Sequence, residues 1–151
     1  MINKISIVRT KLIKEYSLSI SDKKVYSIEE AEPIFRKLIG DSTLEKVAIL
    51  CMNPQNKAIN ASLINIGSSA SVELDISEIC RVAILCNASF VIVAHNHPSG
   101  ILKPSKYDIN ITKKIGYALS IFGIKLIDSI ILGEKDESLS IRGNLDKLEE
   151  L

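Results

Sequence analysis

No apolar run in this chain reaches the roughly 20 residues that a bilayer-crossing helix needs, and the opening Met1-Ile2-Asn3-Lys4 lacks the charged-then-apolar layout of a signal peptide. Neither sign of charge is in excess: nineteen Lys and Arg against eighteen Asp and Glu leave a net charge of +1. No broad basic field is therefore available to neutralise many phosphates, and nucleic-acid binding would have to rest on a local patch. Cysteine is scarce. Cys51, Cys80 and Cys86 form no C-x-x-C pair, and an odd count within apolar elements suits reduced, buried thiols with no chemical role. Internal repeats, linkers and low-complexity segments are also missing. These absences point to a cytoplasmic protein, away from membranes, without tight affinity for nucleic acid.

What is present reads as one domain over residues 1–151, long enough to bury about two-thirds of its unfolded surface. Residues 5–20, rich in Ile, Val, Leu and Thr, predict one or two edge strands. Ser27-Ile28-Glu29-Glu30 is a capping box, and Ile28, Ala31, Ile34, Phe35 and Leu38 follow at helical spacing before Gly40. Residues 45–52 and 58–66 predict a hairpin around Asn53-Pro54-Gln55-Asn56, with Gly67-Ser68-Ser69 ending it. Asp75-Ile76-Ser77-Glu78 caps a second helix with an apolar stripe of Ile76, Ile79, Cys80, Ala83 and Ile84. A third helix is expected over residues 105–122, with Ile109, Ile115, Leu119 and Phe122 inward and Gly123 as its stop. Residues 125–132 and 138–141 predict two more strands, and 145–151 a charged terminal helix or frayed tail. Helices alternating with strands give an α/β fold, a mixed sheet flanked by helices.

The two histidines of the chain, His95 and His97, stand two positions apart at the end of the apolar run Phe90-Val91-Ile92-Val93-Ala94. Residues i and i+2 of a strand point to one face, so both imidazoles project together from the strand end. Pro98, Gly100 and Pro104 then turn the chain back, and Asp108 can return to supply a third donor. Two imidazoles and a carboxylate can hold one zinc ion with the fourth position left for water, the pattern of a catalytic rather than a structural site. A hydrogen-bonded core pair of histidines, with Ser105 and Asp108 acting only as a helix cap, is the plainer alternative. The cap and ligand roles are compatible within one first helical turn.

The run His95-Asn96-His97-Pro98-Ser99-Gly100, with Pro104-Ser105 and Asp108, resembles the JAB/MPN metalloprotease (JAMM) domains, and its Asn-between-His and Pro-Ser-Gly details are similar to the bacterial RadC branch. The resemblance covers roughly residues 5–141. It implies the three-layer α-β-α JAB/MPN (cytidine-deaminase-like) fold and an upstream general base, a role that falls on Glu45 at the head of the run Val47-Ala48-Ile49-Leu50-Cys51-Met52. Larger RadC proteins carry an N-terminal helix-hairpin-helix region associated with DNA contact, for which 151 residues leave no room. Two departures bear on the substrate groove: Asp75-Ile76-Ser77-Glu78 replaces the usual His-Pro-Arg-Glu, and Asp128-Ser129 replaces Asp-His.

The activity implied is hydrolysis of an amide or isopeptide bond in a peptide or protein by a zinc-activated water. Glu45 would move the proton and Ser105 would donate to the oxyanion. The alternative is a non-catalytic or DNA-associated module linked to DNA repair or mobile elements, in which zinc only fixes a loop. A zinc nucleoside deaminase is excluded, because H-x-E and P-C-x-x-C are both missing. Substrate identity and oligomeric state stay open.

Overall fold

The computed structural model describes residues 4–21, 24–64 and 74–146. Helix α1 (Ile28–Phe35) starts at Ser27, where the Glu30 carboxylate accepts from the backbone N–H of Tyr26 at 2.5 Å and of Ser27 at 3.2 Å. Pro33 has no N–H to return to the preceding turn, and the helix widens into a π-helical turn, Arg36–Gly40. The wider turn moves the apolar stripe by one position. Ile39 becomes 2 % exposed, while Leu38, the residue that a 3.6 period selects, is only half-buried.

Strands β1 (Val47–Met52) and β2 (Ala58–Ile64) form the expected hairpin. Helix α2 (Ile76–Leu85) leads into β3 (Phe90–Asn96), and helix α3 (Lys106–Ile121) into β4 (Lys125–Leu132) and the short β5 (Ser138–Ser140). The sheet order is β2-β1-β3-β4-β5, with β3 and β4 parallel and the other pairs antiparallel. It is the mixed sheet that the alternation of elements requires. Period-two alternation sorts the side chains into two cores. Ala48, Leu50, Met52, Ile92, Ala94, Ile130 and Leu132 pack against Ala31, Ile34 and Phe35 of α1. On the other face Val47, Ile49, Cys51, Val91, Val93 and Leu126 meet Ile79 and Ala83 of α2 and Ile115 and Leu119 of α3. The result is three layers, α1 on one face and α2 with α3 on the other. Among the described residues no helix is long and apolar enough to cross a membrane.

Residues 5–20 are not strands. Every residue from Lys4 to Ser17 is exposed, and only Leu18 and Ile20 pack on the α1 core. Their β-branched composition favours extended backbone, but a strand exists only where a ladder partner does, and no described strand pairs with them. Two further positions differ from the helical period: Ile84 is 45 % and Phe122 56 % exposed. Ile84 lies in the last turn of α2, and Phe122 follows the last residue of α3. Ile109 is half-buried, and β5 ends one residue before Ile141, which is itself fully buried. Residues 65–69 and 147–151, expected as a strand end with its Gly-Ser stop and as a tail, lie outside the described residues.

Leu119 and Phe122, inside α3 and just past its end, give a direct test by urea titration. Leu119→Ala, in the core, should cost about 2–5 kcal/mol, whereas Phe122→Ala, on the surface, should stay within about 0.5 kcal/mol.

Candidate metal centre

Strand β3 is paired on both sides, so its end is fixed in register: His95 lies opposite Val47 of β1 and Ile131 of β4. Its side chain takes the α2/α3 face with Val93 and is 7 % exposed. His97, just beyond the strand, continues the parallel pairing through its N–H to the Leu132 carbonyl at 3.0 Å. The chain then reverses. Gly100 donates to the His97 carbonyl at 2.9 Å, at a φ of 73° that an L side chain rarely adopts, and a Cβ there would meet Glu134 Cγ at 2.5 Å. The reversal brings the Ile101 carbonyl to 2.7 Å from His97 Nδ1. A carbonyl only accepts, so Nδ1 carries the proton, and the tautomer that fits this bond has its lone pair on Nε2.

Asp108 arrives as the third residue of α3. Ser105 caps that helix: its hydroxyl oxygen accepts from the Asp108 N–H at 3.1 Å, and Asp108 Oδ2 accepts from the Ser105 N–H at 2.7 Å and from its hydroxyl at 2.7 Å. Oδ2 is thereby engaged, and Oδ1 is left facing His95 Nε2 at 3.5 Å. The two Nε2 atoms are 3.1 Å apart, and His97 Nε2 is 3.9 Å from Asp108 Oδ2. Bond lengths of about 2.0–2.2 Å put tetrahedral neighbours about 3.3–3.5 Å apart, so this donor set fits one small cation. His95, His97 and Asp108 thus form a group that could hold a metal ion. Burial, partly offset by the Asp108 charge, brings His95 down to about 4, so at neutral pH its ring is uncharged and its lone pair is available.

Glu45 stands two residues before β1, beside the same centre. With His95, Asp108, Val93, Ile111 and Ser129 it lines a recess of about 30 Å³ next to the triad. It has no hydrogen-bond partner among the described residues. Partial desolvation, and then repulsion from Asp108, hold its carboxyl above the ordinary range, against the pull of His97. Among the remaining sequence candidates, Asp75 accepts from the Glu78 N–H at 3.1 Å, which makes that pair part of a helix start. Asp128 is buried and spends its oxygens on the Ser129 and Arg142 N–H groups and the Ser140 hydroxyl, tying β5 to β4. Cys51 is buried in the sheet, and Cys80 and Cys86 are partly so. The sequence reading did not single out the role of Asn96, which hydrogen-bonds Ser42, Leu44 and Lys46 around Glu45. Its only sequence signal is its place between the histidines.

A mixed sheet between helical layers, with a strand-end His pair and a helix-start Asp converging beside it, is the arrangement of a JAB-type domain. Residues 25–146 match the family described as RadC-like JAB domain, and the chain belongs to that family. It is similar to proteins named UPF0758 from Carboxydothermus hydrogenoformans (41% identical, covering 66% of this chain and 44% of the relative), Flavobacterium johnsoniae (35%, covering 74% and 49%) and Rubrobacter xylanophilus (31%, covering 80% and 53%). The chain spans about half the length of these curated relatives.

Elemental analysis of purified protein should find about one metal ion per chain in wild type and little in His95→Ala, with the fold retained by circular dichroism. Chelator-stripped protein should also lose stability as the pH falls from about 6.5 towards 4. The unfolded chain then binds a proton at His95 that the buried ring does not take up, so stability rises with pH across that window. A flat profile there would contradict the burial of an uncharged ring.

Proposed function

We propose that the chain is a zinc-dependent hydrolase of the JAMM type, cleaving an amide or isopeptide bond in a peptide or protein. The observation that supports this most is the convergence of His95, His97 and Asp108 on one point, with the Glu45 carboxyl bordering the same recess. Two nitrogens and one carboxylate oxygen are a donor set that suits zinc, and an incomplete shell leaves room for a substrate. When bound, zinc supplies Lewis acidity, lowering the pKa of a ligated water from about 15.7 towards 7 and polarising a carbonyl.

The protein's own groups do the rest. His97 presents its lone pair because Ile101 holds the opposite nitrogen protonated. Asp108 offers Oδ1 because Ser105 occupies Oδ2. Glu45, without a hydrogen-bond partner among the described residues and with its pKa raised, is a stronger base than an ordinary surface carboxylate. It would take the proton from the attacking water and deliver it to the amine as the C–N bond breaks, leaving a carboxylic acid and an amine, between which the remaining proton passes to give a carboxylate and an ammonium. Ser105 would turn its hydroxyl from Asp108 to the developing oxyanion. The near-neutral net charge favours a protein substrate over a nucleic acid.

Glu45→Gln is the decisive variant. The amide is nearly isosteric and no ligand is lost, so metal content and fold should be unchanged while hydrolysis falls at least about a hundredfold. Ser105→Ala should cost a comparable factor if the hydroxyl serves the oxyanion. Unchanged turnover in Glu45→Gln with metal in place would put the base elsewhere. A metal-loaded wild type that cleaves nothing would return the non-catalytic reading.

A further inference from the structure

Glu45 lies outside every regular element. Strand β1 begins at Val47, and residues 41–46 are loop with no strand pairing of their own. A general base on a free loop would sample many positions, and catalysis needs it within hydrogen-bond reach of one proton. Something must hold it.

The residue between the two histidines does this. Alternation along β3 sends Asn96 to the face opposite His95, where it is 3 % exposed. Its Oδ1 accepts from the Lys46 N–H at 2.7 Å. Its Nδ2 donates to the Ser42 carbonyl at 3.0 Å and to the Leu44 carbonyl at 3.1 Å. The Asn96 backbone N–H adds a bond to the Lys46 carbonyl at 3.3 Å. The residues on both sides of Glu45 are therefore tied to one carboxamide. Within the segment, the Ser42 hydroxyl donates to the Leu44 carbonyl at 2.7 Å and accepts from its N–H at 3.2 Å, so the loop has a defined shape for the clamp to grip.

We propose that Asn96 is a positioning residue: its carboxamide, turned away from the metal side of β3, locks residues 42–46 to the strand end that carries His95 and His97, and so sets where the Glu45 carboxyl stands over the centre. Ligands and base then share one rigid reference, and neither can move along the sheet without the other. The inference rests on the reading of Glu45 as the base, while the clamp itself does not require a metal. The chemistry is specific to asparagine. A short side chain must offer one acceptor and two donors in a plane. Aspartate keeps the bond to Lys46 but would present oxygen to the Ser42 and Leu44 carbonyls, and serine has a single donor.

Amide hydrogen exchange on metal-free wild type, Asn96→Ala and Asn96→Asp tests the clamp. Losing the bonds to a buried carboxamide should speed exchange at Lys46 by about tenfold or more in Asn96→Ala, relative to the β1 amides of the same protein. Asn96→Asp keeps the side chain's volume and serves if the alanine variant does not fold. It should loosen Leu44 and Glu45 while sparing the acceptor to Lys46. Cobalt-loaded protein supplies the second measurement. Pseudocontact shifts of Glu45 should collapse by half or more in either variant, with those of residues 105–112 preserved and metal affinity within about threefold of wild type. Once a substrate is in hand, Asn96→Ala should lower kcat at least about tenfold alone and add nothing in a Glu45→Gln background, because the two residues act as one unit. Unchanged exchange at Lys46, unchanged Glu45 shifts, or losses that multiply would each overturn the proposal. A wild type that takes up no cobalt would instead overturn the metal reading, and the exchange rates would still decide the clamp.

Discussion

The burial of β3 is the constraint on which the rest depends. From Val91 to Asn96 every side chain is buried, with β1 paired on one edge and β4 on the other. A strand so enclosed cannot slip by a residue without exchanging its two faces, because each one-residue shift would turn Val93 out of one core and Ala94 out of the other. The positions of His95 and Asn96 are therefore inherited from the packing of Val91, Ile92, Val93 and Ala94. Polar groups at the end of such a strand must be satisfied, since an unpaired buried amide or imidazole costs about 1–3 kcal/mol. Asn96 meets that demand with backbone groups of the preceding loop. His95 Nε2 and His97 Nε2 instead face each other and Asp108.

Asp108 shows how a local signal serves a distant partner. As the third residue of α3 it sits where the helix N-terminus favours negative charge, and the cap at Ser105 orients it. One oxygen answers the helix and the other answers the imidazoles. The Asp108 charge is also felt at Glu45, whose carboxyl it helps to raise. A divalent cation held by His95, His97 and Asp108 would offset that charge.

Much of this was legible in the sequence because its determinants are local. Ser105 three residues before Asp108, His95 two before His97, and the Pro98–Gly100 turn each declare a geometry within a few residues. The unread parts depend on partners far along the chain. Residues 5–20 have strand-forming side chains, but pairing is a property of two segments. Phe122 continues the helical period, yet the helix itself ends at Ile121. Ile39 replaces Leu38 because Pro33 disturbs the turn between them. Asn96 was visible as a residue but not as a clamp, since its partners at Ser42, Leu44 and Lys46 lie some fifty positions earlier.

The same distance-spanning logic reaches His97 from the opposite layer. The direction of its Nε2 lone pair is set by Ile101, whose carbonyl is placed by the turn at Gly100. That turn packs against the β4–β5 connection so closely that a Cβ on Gly133 would meet Leu102 Cδ2 at 2.9 Å. The connection is held in turn from the end of α1, where Arg36, the first residue of the π-helical turn, donates to the carbonyls of Gly133 at 2.7 Å and Glu137 at 2.5 Å. Glu32 steadies Arg36 with a bond at 3.0 Å and accepts from the Ser138 hydroxyl at 2.6 Å. A guanidinium whose side chain is mostly buried gives up fixed hydrogen bonds at a cost that a free surface arginine would not incur. Helix α1 contributes no donor to the metal centre. It nonetheless fixes the far wall against which the return loop closes, so the orientation of one imidazole is decided by packing on both faces of the sheet.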